Sequence, residues 1–276
     1  MLYHDSDPAS FLQRARSFLE EFEAENNLLL GVSSWLATHP ERIEQPPHFL
    51  TVEENGRVQA AAMMTPPCNL VLSRAKKEAL AAIAEHLMAK GITPPGANGP
   101  LQTSRTFVEL WNQESGRPFR LHRSLRIYQL LEVIPPPLVK GRMRLAQDSD
   151  ANTLLSWIHG FNVDIGGPQT RDDESKMLHR ILADQRLYVW EDKGLCSMAA
   201  WGGPTRHGVR ISLVYTPPEL RRKGYATACI AALSKAMLVS GKKFCCLFAD
   251  LSNQTSNRLY QRIGYKRVCD FTEYRT

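Results

Sequence analysis

The chain has 276 residues, 43% hydrophobic and 22% charged, with a net charge of +6 from 34 basic and 28 acidic side chains. That balance excludes a disordered chain and gives room for two domains of ordinary size. The basic excess is small and scattered, which argues against a nucleic-acid face. Its tightest cluster, Arg221-Arg222-Lys223, suits one phosphorylated ligand. No apolar run approaches the roughly 18 residues of a membrane span. The start, Met1-Leu2-Tyr3-His4-Asp5, has no basic region followed by an apolar core. The expectation is a cytoplasmic protein that engages neither membrane nor nucleic acid, as a monomer or homodimer.

In chain order, Phe11, Ala15, Phe18, Leu19 and Phe22 recur at helical spacing, and a helix is expected over 9–30. Residues 48–53 read as a strand. Asn55-Gly56 supplies the positive φ of a tight hairpin turn, and 58–64 form the returning strand. A third strand is expected at 68–72, helices at 76–90 and 103–113, and a long strand at 125–134. Pro135-Pro136-Pro137 cannot continue a helix or a central strand and marks a stiff linker over 135–140. Beyond it the order begins again. A short strand at 143–146 precedes helices at 150–161 and 173–184. A hairpin follows from 187–191 and 195–201, then a strand at 209–215, a helix at 225–239, a strand at 244–250, a helix at 255–262 and a strand at 265–274. The pattern suggests two copies of one α/β unit, 1–134 and 141–276; the alternative is one mixed domain with an N-terminal extension.

Six cysteines form no CxxC pair, and eight histidines show no metal-ligand spacing, so no metal is expected. Cys245 and Cys246, adjacent on a strand, should face opposite sides of a sheet.

The chemistry concentrates where the strand 209–215 ends. Thr216-Pro217-Pro218 terminates the strand, and Arg221-Arg222-Lys223-Gly224-Tyr225-Ala226 opens the next helix. A helix start has unpaired N–H groups and partial positive charge, which favour a phosphate. Gly224 allows close approach, Ala226 keeps the first turn small, and three cations add complementarity. The GxxxxGK[ST] and GxGxxG alternatives are absent at this joint.

Residues 210–265 resemble the GCN5-related N-acetyltransferases. That family carries [Q/R]-x-x-G-x-[G/A] at this joint, here Arg221-x-x-Gly224-x-Ala226. Asn253-Gln254-Thr255-Ser256-Asn257-Arg258-Leu259-Tyr260, ending at Gly264-Tyr265, is similar to its downstream signature. The resemblance implies tandem domains, each a mixed, mostly antiparallel sheet flanked by helices, with acetyl-CoA as co-substrate in the second. It implies a bulge near Val214 and a splay from 244–250. Leu213, Val214 and Tyr215 would then hold the pantetheine arm, and the Val214 N–H would polarise the thioester carbonyl. Arg221, Arg222, Lys223, Gly224, Tyr225 and Ala226 would take the pyrophosphate. Tyr260 would protonate the departing thiolate or would only pack. Asn253 and Asn257 would bind cofactor, unless Asn253 caps its helix.

The acceptor implied is an amine, on a small molecule or a protein. His159 sits near the implied acceptor pocket, and Asp164 or Glu191 would deprotonate the incoming amine. The first half has Ser73-Arg74-Ala75-Lys76-Lys77 and no glycine at the matching joint, so it is expected to have lost the cradle. A non-catalytic acyl-CoA sensor or interaction module is the rival reading; a nucleic-acid binder, suggested by the basic balance, is the second.

Overall fold

The computed structural model describes residues 1–167 and 170–276. The first half runs β1 (Leu2–Asp5), α1 (Pro8–Glu20), α2 (Asn27–Thr38), β2 (His48–Glu54), β3 (Arg57–Met64), β4 (Leu70–Leu72), α3 (Lys77–Ala89), β5 (Gly96–Pro100), α4 (Leu101–Glu114) and β6 (Arg120–Leu130). The second runs β7 (Arg142–Leu145), α5 (Ala151–Ile165), α6 (Arg171–Ala183), β8 (Leu187–Glu191), β9 (Leu195–Gly202), β10 (Gly208–Tyr215), α7 (Tyr225–Val239), β11 (Phe244–Asp250), α8 (Gln254–Arg262) and β12 (Lys266–Arg275). The halves repeat one plan, and Pro135-Pro136-Pro137 lies in the segment between β6 and β7.

Three local departures have physical causes. The expected helix over 9–30 breaks after α1, where the Asn26 and Asn27 side-chain amides donate to the carbonyls of Leu19 and Ala24 at 3.0 and 2.7 Å. Such local bonds compete with the helical ladder. β5 reads Gly-Ala-Asn-Gly-Pro, a poor strand by propensity. Its glycines admit close neighbours: a Cβ on Gly99 would stand 3.2 Å from the Leu72 Cβ. β1 has only four residues and is a strand through its pairing with β2.

The twelve strands among the described residues form one sheet, ordered β1-β2-β3-β4-β5-β12-β6-β11-β10-β9-β8-β7. Among the described residues only β4–β5 and β10–β11 are parallel pairs. The last strand of each half lies inside the other half's run: β12 between β5 and β6, and β6 between β11 and β12. Helices cover both faces. Phe49, Ala61 and Met63 pack under α1 and α2, and their neighbours Leu50, Ala60 and Ala62 face α3 and α4. In the second half α5 and α6 cover one face and α7 and α8 the other. Cys245 and Cys246 divide between the α7 cluster and a small central cluster with Ala24 and Phe244. Burial pushes Cys229, Cys245 and Cys246 up to about 12, the state of inert core thiols.

The corner between α1 and α2 also reaches the second half. The Glu23 carboxylate accepts from the His207 N–H at 2.7 Å and faces its Nδ1 at 2.8 Å. Arg210 donates to Asn27 Oδ1 at 3.0 Å.

A chain of three imidazoles holds β1 at the sheet edge. His4 Nδ1 lies 2.9 Å from His86 Nε2, and His4 Nε2 lies 3.0 Å from His48 Nδ1. Both nitrogens of His4 are used, so the three rings do not converge on one point. All three are held below the ordinary value of 6.5, chiefly by burial. His86 and His48 add repulsion at His4, Asp5 opposes it, and Lys90 disfavours charge on His4 and His86. A ring with a depressed folded pKa binds fewer protons than it does unfolded, so its stability is present above 6.5 and lost as pH falls below it. The thermal midpoint is therefore expected to drop between about pH 7.5 and about pH 5.5, and less so in His4→Gln. Equal pH dependence in both proteins would show that the cluster carries none of the effect.

Candidate functional site

The strand β10 changes character along its length. It pairs with β11 only at Gly208, Val209 and Arg210, and the strands then part. Against β9 its register shifts between Ser212 and Tyr215, which leaves Leu213 and Val214 unpaired across the ladder. Leu213 has φ +49°, in the left-handed region. A branched side chain there is strained, and such strain concentrates at functional positions. Neighbours on β9 and after β10 lock the distortion. Ser197 Oγ donates to the Tyr215 carbonyl, and Thr216 Oγ1 donates to Ser197 Oγ, each at 2.9 Å.

The loop after β10 delivers the chain to α7. Gly224 is the residue before the helix, with φ +88°, and no side chain caps the first turn. The opening N–H groups of α7 thus have neither an intrahelical acceptor nor a side-chain acceptor, the condition for anion binding. Arg222, with φ +66°, and Lys223 are exposed in this loop. Arg221, also exposed, is held by its neighbours: Nε donates to the Thr216 carbonyl at 2.9 Å, Nη2 to Asp164 Oδ2 at 2.7 Å. Its guanidinium carbon stands 5.6 Å from the Tyr215 ring centre. Tyr225 donates to Asp192 Oδ2 at 2.8 Å, a bond that raises its pKa to about 12. Ala226 is half-buried one residue further along.

α8 brings the downstream residues to the same end of the sheet. Asn253 caps the helix, its Oδ1 accepting from the Ser256 N–H at 3.0 Å. Asn257 donates to the carbonyls of Asp250 and Asn253 at 2.6 and 2.7 Å and accepts from the Tyr128 hydroxyl at 2.9 Å. Its amide is therefore largely consumed in fixing α8 to the end of β11. Tyr260 is buried, packed in the cluster that also holds Val214 and Tyr225. Its ring centre is 6.3 Å from Tyr128 and 6.0 Å from Tyr265. Burial pushes its phenol up to about 12, and its hydroxyl has no hydrogen-bond partner among the described residues.

α5 forms the opposite wall. Trp157, Gly160 and Asp164 share the side that meets Tyr215 and Arg221: the Trp157 and Tyr215 rings lie 6.4 Å apart, and the space beside Gly160 is filled by the Tyr215 hydroxyl. His159 lies on another side, its Nδ1 3.3 Å from the buried Glu174 of α6. Glu191 is paired with Arg144 at 3.1 Å. Asp164 is engaged by Arg221 at 2.7 Å.

The matching joint in the first half is closed. Leu72 abuts Gly99, so β4 and β5 stay together, and no residue from 70 to 77 has a positive φ. Ser73 Oγ accepts the Ala61 N–H at 2.9 Å, and Arg74 is bound at 2.6 Å to the buried Glu25. Among the described residues no group of three or more His, Cys, Asp and Glu is arranged to hold a metal.

Sequence reasoning missed Tyr128, Val139 and Asp192. Tyr128 and Val139 lie outside the second half's motifs and reach the site only through the fold. Val139, in the segment between β6 and β7, would be 2.9 Å from a Cβ on Gly224.

Residues 190–276 match the model of the FR47-like protein family. Solved structures resemble the whole chain. A GNAT-family acetyltransferase from Colwellia psychrerythraea is 11% identical, with all of this chain and 99% of that one covered and a TM-score of 0.63. A GCN5-related N-acetyltransferase from Sphaerobacter thermophilus is 15% identical over all of this chain and 95% of that one, with a TM-score of 0.66. A Drosophila protein is 16% identical over all of this chain and 98% of that one, with a TM-score of 0.69. No curated protein matches the sequence. The fold is that of tandem GCN5-related N-acetyltransferase domains, as the repeated element order and the motifs of the second half together suggest. No helix among the described residues is long and apolar enough to cross a membrane.

Proposed function

We propose that the protein transfers an acetyl group from acetyl-CoA directly to a primary amine. In this reading 141–276 carries the co-substrate, 1–134 lacks a cradle, and 135–140 connects them. One observation carries it: a strained bulge at Leu213–Val214, beside the splay of β10 from β11, leads within one short loop to the uncapped start of α7. A phosphate suits the helix start, and an extended amide-bearing arm suits a strand whose pairing has ended.

Acetyl-CoA supplies the activated acyl group. Leu213, Val214 and Tyr215 would offer backbone groups to its arm, and the Val214 N–H would polarise the carbonyl oxygen as charge develops there. Arg222, Lys223 and the N–H groups of Gly224, Tyr225 and Ala226 take the pyrophosphate, while Arg221 braces the loop against α5. Asn253 and Asn257 serve by holding α8 in place. Tyr260 gives its proton to the departing thiolate. Burial keeps that phenol protonated well above neutrality, so it is available as an acid across the working range. The amine enters neutral, and the proton it gives up as the amide forms passes through solvent and restores the Tyr260 phenol.

Thiol release from acetyl-CoA over a panel of small and peptide amines tests the assignment. Turnover with some amine is the expected result. Coenzyme A bound with no release over the whole panel would instead make the protein an acyl-CoA sensor or interaction module. Tyr260→Phe is expected to lower turnover at least about tenfold, on the usual scale of acid catalysis. Its coenzyme A affinity should stay near wild type, and full activity across the pH range would reduce Tyr260 to packing.

A further inference from the structure

We propose that Tyr128, carried on β6 of the amino-terminal half, is a positioning residue for Tyr260 in the acyl-transfer site. The inference rests on the function proposed above, and it gives the half without a cradle a role in the chemistry of the other.

β6 lies between β11 and β12, in register with β11 from Cys245↔Leu130 to Asp250↔Leu125 and with β12 along its length. Tyr128, opposite Leu247, is fully buried and joins the cluster of α7 and α8. Its hydroxyl donates to Asn257 Oδ1 at 2.9 Å and accepts from Gln261 Nε2 at 3.2 Å. Asn257 and Gln261 are four apart and share one face of α8. One hydroxyl thus grips two successive turns and fixes the rotation of the helix about its axis.

That grip matters because α8 holds itself weakly. It has nine residues, too few to persist alone, and Tyr260 is the one buried residue within it. The Asn257 amide is a further tie, donating to the Asp250 carbonyl while its oxygen accepts from Tyr128. Rotation of α8 would shift Tyr260 within the cluster that it shares with Val214. Tyr128 also stands beside Tyr260, so its ring limits that movement from the sheet side.

Tyr128→Phe keeps the ring and removes the hydroxyl. The expected result is a kcat lowered at least about fivefold, within the range of coupled residues, with KM for acetyl-CoA within about twofold of wild type. In a Tyr260→Phe background the same change is expected to cost nothing further, because Tyr128 acts through Tyr260. An equal loss in both backgrounds, or no loss in either, would overturn the proposal. Amide hydrogen exchange supplies a readout independent of turnover: residues 254–262 of Tyr128→Phe should exchange about tenfold faster than wild type, and unchanged exchange would overturn the positioning role. A wild-type protein that turns over no amine would defeat the acyl-transfer reading, and the exchange result would then decide whether Tyr128 positions α8.

Discussion

Residues 141–276 produced alone are expected to be insoluble or unfolded, although they contain the whole coenzyme A motif. The reason is the exchange of strands. Without β6, the facing edges of β11 and β12 lose every partner they have there, from Leu125 to Leu130 on one side and from Arg120 to Gln129 on the other. Two unpaired edges inside a sheet are an invitation to aggregate. The core loses Tyr128 and Leu130, both fully buried in the cluster under α7. Deleting a buried side chain of this size costs about 2–5 kcal/mol, and a whole domain holds only about 5–15 kcal/mol. The two side chains alone therefore approach the total before any backbone bond is counted. Residues 1–134 should fail for the matching reason, since β12 is missing between β5 and β6. Producing the two pieces together should restore soluble, cooperatively melting protein. Circular dichroism and thermal unfolding check each case. A cooperatively folded 141–276 fragment would show that β12 can close onto β11 unaided.

The exchange also marks what was legible in the sequence and what was not. Elements with strong local signals stand where their residues put them: the Asn55-Gly56 hairpin, the β10 strand ended by prolines, the apolar α7 and the α8 stopped before Gly264. The bulge was implied by family resemblance, and the positive φ of Leu213 realises it. Partner choice among strands has no local signature. β6 and β12 are both long and half-buried, and nothing in their composition says that each lies inside the other half's run. β5 was missed because its glycines weaken strand propensity while permitting the close approach that makes it a strand. Tyr128 was missed for the reason the strand order was missed. It stands 129 positions before Asn257, and only the insertion of β6 brings them together. Asn257, read as a cofactor ligand from its motif, spends its amide on Tyr128 and two backbone carbonyls, contacts invisible without the third dimension.

Gly224→Glu is expected to lower coenzyme A affinity at least about a hundredfold by calorimetry, and the size of that loss separates three causes. Gly224 has φ +88°, where any other residue costs about 1–3 kcal/mol. Its Cβ would also meet Val139 Cγ2 at 2.9 Å, on a branched side chain with little rotamer freedom. Both effects act on the fold, and Gly224→Ala carries both without new charge. The glutamate adds a carboxylate at the place assigned to the pyrophosphate. Two like charges about 4 Å apart repel by about 4 kcal/mol at a partly shielded site, close to three decades in affinity. Gly224→Ala should therefore lose stability and only about tenfold in binding. Val139→Ala should return part of that stability by clearing the contact. It should do nothing for the affinity of Gly224→Glu, because space does not relieve charge. If Gly224→Glu binds as wild type does, the anion lies elsewhere, and Arg222 and Lys223 of the preceding loop become the next groups to replace.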